Sequence, residues 1–276
     1  MSLRLINICN SFFTYGASAS PSSSGSSDRA SPALSKLFDK YQGIPSLLPL
    51  YTRFLLTCSF LDSPSTSPDT ITIDGTMNYL NDLSLSIESI SVLLLSELVQ
   101  SPTLGEITRQ GFITGWSSQG SSGTTIPGQK TLIKSLTSSL TTSEARSSPQ
   151  GLFRRVYKHT FKIALPSGTR GLPLEMACEY WKLLFGPTGA HWDGTAGAQG
   201  LTKPWLQWWM TFLQEKWKKD VNKDMWEQTL ALAEKTRGDE SLSWWSEEDS
   251  AWPSVIDDFI VWCKTEKGVG GDAMEL

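Results

Sequence analysis

Asp257 and Asp258 stand side by side in Ala251-Trp252-Pro253-Ser254-Val255-Ile256-Asp257-Asp258-Phe259, near the C-terminal end of the sequence. Trp252, Val255, Ile256, Phe259, Ile260 and Cys263 recur at helical spacing and predict one buried stripe. Pro253 suits a first helical position, where no backbone donor is needed. The two acids fall outside that stripe, on or beside the solvent face, where a basic partner could reach them. Taken alone, such a pair is more often a solvated helix face. A nucleophile pair, Cys178 with His159, is the other chemistry to weigh, as in a hydrolase. Both residues sit inside helical patterns that explain them more simply as packing and surface positions.

Other chemistries fare worse. The four cysteines, Cys9, Cys58, Cys178 and Cys263, include no C-x-x-C pair, and His159 and His191 are the only histidines, so a structural zinc site is not expected. The Gly-rich run from Gly186 to Gly200 is followed by Leu201, not by the lysine that a phosphate-cradling loop requires. A calcium loop beginning at Asp69 would place Ile71 and Ile73 at alternate positions and Leu80 at the twelfth, where acids belong.

The chain has 276 residues, a net charge of −4 and a hydrophobic share of 39%. That is enough for about two packed units, or for one domain with tails. The sequence pI near 5.3 disfavours a general nucleic-acid binder, which would present a basic surface. A mean hydropathy of −0.20 and the absence of a long uncharged apolar run argue for a soluble protein with reduced thiols. The expected location is cytoplasmic and nuclear.

The elements that must position these residues are helices. Met1–Tyr15 has a short apolar run with no firm cleavage pattern, and Ala17–Pro32 is rich in Ser, Ala, Gly and Pro, so residues 1–33 are expected to form a disordered tail. Leu34–Tyr41 predicts a short amphipathic helix. Gly43–Leu61 is apolar but broken by prolines and Arg53, which does not make the ~20-residue span of a membrane helix. A short extended piece at Ile71 precedes a helix with Asp74 as its expected N-cap and Met77, Leu80 and Leu83 on one face. Ser86 or Ser89 opens the next helix, apolar on two sides through Ile90, Leu93, Leu94 and Leu98 and through Val92, Leu95 and Val99. Glu106–Phe112 begins a further extended-then-helical unit. This lobe, residues 34–140, is expected to be EF-hand-like without calcium ligands.

Ser117–Gly128 reads as a polar loop, Lys130–Leu140 as a helix and Thr141–Gly151 as the linker between lobes. A periodic helix follows through Phe153, Val156, Tyr157, Thr160, Phe161 and Ala164. Pro173 opens the next helix and Pro204 another, rich in tryptophan. Asn222 caps a helix with Asp224 in its first turn. Of 12 tryptophans, only Trp116 precedes Trp181, so residues 151–264 are expected to form an aromatic-packed helical lobe. Residues 265–276 are expected to form a flexible tail. The fold class is all-α, in two lobes.

Several segments together resemble the defective in cullin neddylation family, in its potentiating-neddylation (PONY) domain. They are Ile73-Asp74-Gly75, Ser89-Ile90-Ser91-Val92-Leu93, Tyr157-Lys158-His159-Thr160-Phe161, Leu174-Glu175-Met176-Ala177 with Tyr180-Trp181, Lys223-Asp224-Met225-Trp226, and Ala251-Trp252-Pro253 with Ile256-Asp257-Asp258-Phe259. Their order over Ser31–Lys264 carries the resemblance. It implies a non-catalytic accessory E3 factor that binds a cullin C-terminal domain and the conjugating enzyme charged with the Nedd-type modifier. Such a scaffold raises effective concentration and needs no acid, base or nucleophile of its own.

The resemblance places cullin binding on Asp224, Ala251 and Asp257, with two carboxylates for basic partners and a small residue permitting close approach. It places the acetylated N-terminal methionine of the conjugating enzyme on Ile73, Thr76, Val92, Leu95, Val99, Ile107, Ile163, Tyr180 and Leu183. Acetylation matters there because an amine is costlier to bury than an amide. Plain core packing explains the apolar members equally well. Thr76 and Ile163 depart from the aliphatic and aromatic residues frequent in the family, which implies a reshaped pocket. No N-terminal ubiquitin-associated domain is legible before Leu34. Gly43–Leu61 and Gly186–Lys203 stand out as insertions. No cofactor, nucleic-acid partner or membrane span is expected, and the expected state is a monomer. A calcium-responsive EF-hand-like adaptor is the alternative reading, and a Cys178 hydrolase a third.

Overall fold

The structure is a computed structural model that describes residues 32–42, 69–194, 201–248 and 252–270. Residues 1–31 of the tail expected at residues 1–33, the Gly43–Leu61 segment, residues 195–200, Ala251 and residues 271–276 lie outside the described residues, and residues 32–33 belong to the first helix instead. The described residues divide into two compact units, the first ending at Thr137 and the second beginning at Ser138. The elements are overwhelmingly helical, as expected of an all-α chain.

In the first unit, α1 (Pro32–Tyr41) is followed by β1 (Thr70–Ile71) and α2 (Ile73–Leu83). Then come α3 (Ile90–Leu98), β2 (Ile107–Thr108), α4 (Arg109–Ser117) and α5 (Ile126–Ser139). β1 and β2 pair antiparallel, Thr70 with Thr108 and Ile71 with Ile107. This pairing sets where α2 starts. Thr72 is extended and is the N-cap, so Asp74 lies in the first turn and does not cap the helix, contrary to expectation. Ser89 does cap α3, its hydroxyl accepting from Ser91 N.

The polar run expected to be a loop after Ser117 contains a 3₁₀ turn, Gly120–Thr124, and α5 begins four residues before Lys130. The cause is Gln129, which is fully buried. Its amide donates to Gly123 O at 2.7 Å and accepts from Tyr79 Oη at 2.7 Å, tying loop and helix to α2. Phe112 sits edge-on to Phe38 and Tyr79, with ring centroids 5.7 and 5.6 Å away. Gly111 and Gly115 let α4 pass against the end of α3; a Cβ on either would stand 2.1 or 2.3 Å from the carbonyl oxygens of Val99 and Leu98. Lys40 and Tyr41 both reach Asp82, at 2.5 and 2.6 Å, and join α1 to α2. The Lys40 bond, then that of Tyr41, holds the Asp82 carboxyl below its ordinary range.

The second unit contains a short helix, α6 (Ser143–Ser147), in the stretch read as a linker. It continues with α7 (Leu152–Ala164), β3 (Gly171–Leu172), α8 (Leu174–Phe185) and α9 (Trp205–Phe212). A π-helical turn, Leu213–Trp217, leads to β4 (Val221–Asn222), α10 (Lys223–Gly238) and α11 (Ser254–Glu266). β3 pairs antiparallel with β4, Gly171 with Asn222 and Leu172 with Val221.

Tryptophans fill this core. Trp226 stacks on Tyr157 at 4.7 Å and on Trp181 at 5.3 Å. Their polar atoms close on one another: Trp181 Nε1 donates to Tyr157 Oη, Tyr157 Oη to Trp226 O, and Trp226 Nε1 to Tyr157 O, all within 3.0 Å. The polar atoms of these three rings are thus satisfied by one another and by backbone. Within the described part of Gly186–Lys203, Ala190 and Trp192 are packed into this core: Trp192 is fully buried and donates to Thr236 Oγ1 at 2.8 Å. Arg237 donates to the carbonyls of Ala190 and His191 and pairs with Glu234. Burial lowers the Arg237 guanidinium to about 10. α11 runs to Glu266, and Val269 beyond it is buried, with its N–H on Cys263 O at 3.1 Å.

Candidate functional site

α10 begins where β4 ends. Asn222 is its N-cap, and the Asn222 Oδ1 accepts from Met225 N at 2.8 Å. Asp224 follows in the first turn and is exposed. α11 begins after Pro253, its residues Val255, Ile256, Phe259, Ile260 and Cys263 buried as the stripe predicts, with Trp252 half-buried. Asp257 lies in the first turn and is half-buried, while Asp258 is exposed. α10 and α11 pack against each other. The second unit therefore presents two carboxylates, each in the first turn of one of a pair of packed helices. An acid there also stabilises its own helix, by about 0.3–1 kcal/mol. Ala251, the third residue placed in this patch, lies outside the described residues.

Asp257 has a partner that the sequence did not announce. The indole N–H of Trp245 donates to Asp257 Oδ1 at 2.9 Å. Lys264 Nζ stands 4.8 Å from the centroid of the same Trp245 ring. Trp245 belongs to a loop outside any helical stripe, twelve positions before Asp257, so periodicity could not find it.

Six of the residues placed at the conjugating-enzyme site belong to the first unit. Val92, Leu95 and Val99 share one face at the α3 end. Leu95, Val99 and Ile107 are buried; Ile73 and Val92 are half-buried and are the two aliphatic members of this unit offering surface. Ile73 packs beside Gly105, where a Cβ would stand 3.3 Å from Ile73 Cγ1. Thr76 is buried, and its hydroxyl has no hydrogen-bond partner among the described residues. The other three belong to the second unit: Ile163 on α7 and Tyr180 on α8 are buried, and Leu183 on α8 is half-buried.

The competing chemistries meet physical obstacles. Asp69, where a calcium loop would start, is engaged by Arg109 Nε at 2.9 Å. Among the described residues, no group of three His, Cys, Asp or Glu could hold a metal ion, and no helix is long and apolar enough to cross a membrane. Cys178 is buried, and burial pushes its thiol up to about 11, away from the thiolate a nucleophile needs.

A family model described as "Cullin binding" matches residues 128–262, a range holding Asp224, Trp245 and Asp257. The "Defective in cullin neddylation protein 1" of Pyricularia oryzae is 38% identical over 215 residues, covering 76% of this chain and 73% of that protein. The protein of the same name from Yarrowia lipolytica is 33% identical over 230 residues, covering 83% of this chain and 77% of its own length. "DCN1-like protein 3" of Rattus norvegicus is 31% identical over 198 residues, covering 70% of this chain and 57% of that protein. With similarity of this extent, the chain belongs to the defective in cullin neddylation family.

Proposed function

We propose that this chain is a non-catalytic accessory factor of cullin neddylation, docking a cullin C-terminal domain on the second unit. The observation that carries the reading is the pair Asp224 and Asp257, accessible at the starts of two packed helices within the matched range. Carboxylates so placed suit lysine or arginine side chains of a partner, with charge-assisted hydrogen bonds giving both orientation and speed of encounter. The N-terminus of the conjugating enzyme is assigned to apolar surface of the first unit that includes Ile73 and Val92. An acetylated methionine suits such a surface because its amide loses less on desolvation than an ammonium. Holding both proteins on one chain raises their effective concentration, which accelerates transfer of the modifier without a catalytic group.

Asp224→Lys combined with Asp257→Lys is expected to abolish binding of a cullin C-terminal fragment in calorimetry while the helical circular dichroism is retained. Unchanged affinity would remove the assignment. Val92→Asp is expected to abolish binding of an acetylated N-terminal peptide of the conjugating enzyme and leave the cullin titration unchanged.

A further inference from the structure

We propose that Trp245 is a positioning residue of the cullin-docking surface, holding the Asp257 carboxylate in place for a cationic side chain of the partner; this rests on the docking site proposed above. Asp257, Val261 and Lys264 are spaced by four and three residues and therefore share one face of α11. Trp245 touches that face at both ends. Its N–H meets Asp257 Oδ1 at 2.9 Å, and its ring carries Lys264 Nζ 4.8 Å from the centroid. Val261 lies between these two points on the face and is 40% exposed, among the most exposed large apolar side chains described. Trp245 itself is half-buried, so the indole borders solvent.

This arrangement does two things for a charged contact. An aspartate on an open helix face samples several rotamers and must be immobilised when a partner arrives. A neutral indole N–H fixes the rotamer beforehand and leaves the charge intact. The ring and Val261 also place apolar surface beside the carboxylate, which keeps water from the ion pair once the partner is seated. Trp245 thus acts through Asp257 and confers selectivity for a cation presented at one place along α11.

The test is a double-mutant cycle in the full chain, titrated with a cullin C-terminal fragment. Trp245→Phe keeps a ring for Lys264 and deletes the donor; Asp257→Asn deletes the charge. Trp245→Phe is expected to weaken binding about three- to tenfold in the wild-type background, and to change nothing in the Asp257→Asn background. Equal loss in both backgrounds, or no loss in either, would overturn the positioning role. Asp257→Asn binding as tightly as wild type would overturn the docking site and this proposal together, which separates the two failures. A second measurement does not depend on the folding of the Phe variant. The indole N–H resonance of Trp245 is expected to move in Asp257→Asn and in no variant of the first unit; a stationary resonance would show that the hydrogen bond is absent in solution.

Discussion

The two units share a layout and differ in furnishing. In the first, β1 and β2 bring Thr72 and Thr108 to the starts of α2 and α4; in the second, β3 and β4 bring Pro173 and Asn222 to the starts of α8 and α10. Two residues past these caps stand Asp74 and Gln110 in one unit and Glu175 and Asp224 in the other. A two-residue strand followed by a helix is therefore used four times, and at three of the four the second helical residue is acidic. Helix-dipole stabilisation explains an acid at any of them. What sets Asp224 apart is the neighbouring helix α11, whose own first turn adds Asp257. Layout alone does not make a docking surface; function depends on which side chains the shared frame presents.

The sharpest way to break this comparison is through the cores. Trp226→Ala removes a ring stacked on two others together with the N–H bond to Tyr157 O. It is expected to cost about 3–5 kcal/mol in denaturant unfolding. Phe112→Ala in the first unit loses ring contacts alone and should fall at the lower end of that range. A larger cost for Phe112 would mean that hydrogen-bonded stacking adds little.

Next in size is the charge contrast. Asp224→Lys is expected to weaken cullin binding about 30-fold or more, whereas Gln110→Lys, at the corresponding point of the first unit, should leave the same titration unchanged. Loss with both variants would reduce the effect to general electrostatics.

The caps give a finer comparison. Asn222→Ala and Thr108→Ala should each cost about 1 kcal/mol. Only Asn222→Ala should also weaken cullin binding, because it frays the turn that carries Asp224.

The smallest effect concerns acid. Burial works against ionised Glu240, but bonds from Thr202, Trp205 and the Lys203 backbone outweigh it and lower its pKa. Asp82 in the first unit is lowered too, by Lys40 and Tyr41. For a group lowered on folding, the stabilisation is present above the unfolded pKa of about 4 and is lost as pH falls through the folded value. Glu240→Gln should flatten the acid dependence of unfolding, and Asp82→Asn should do so separately. Identical acid profiles in wild type and both variants would show that neither carboxylate matters to stability.

Much of this was legible in the sequence because it was written as periodicity and caps. The α11 stripe, the Asn222 cap and the tryptophan-rich second core all follow from spacing, and Ser89 is one of the two α3 caps, with Ser86, that the sequence offers. The start of α2 at Thr72 was not legible, because a strand pair with residues about forty positions away fixes it, and β1 is too short to alternate. β3 and β4, equally short, were not legible at all, whereas β1 and β2 fall in the extended pieces expected at Ile71 and Glu106–Phe112. The early start of α5 depends on buried Gln129, a residue whose type gives no hint of burial. In the candidate site, the two aspartates could be placed on helices from their neighbours, but Trp245 could not. Its bond to Asp257 joins a loop to a helix face, and no repeating pattern encodes that.

The uneven distribution of tryptophan has a practical consequence for watching the protein unfold. Trp116 is the one indole of the first unit, and it is fully buried, whereas the second unit holds the aromatic lattice around Trp226. Intrinsic emission is therefore dominated by one half of the molecule, and far-ultraviolet ellipticity samples helices of both. Melting curves from the two signals need not superimpose, and a gap between them would measure how independently the halves come apart.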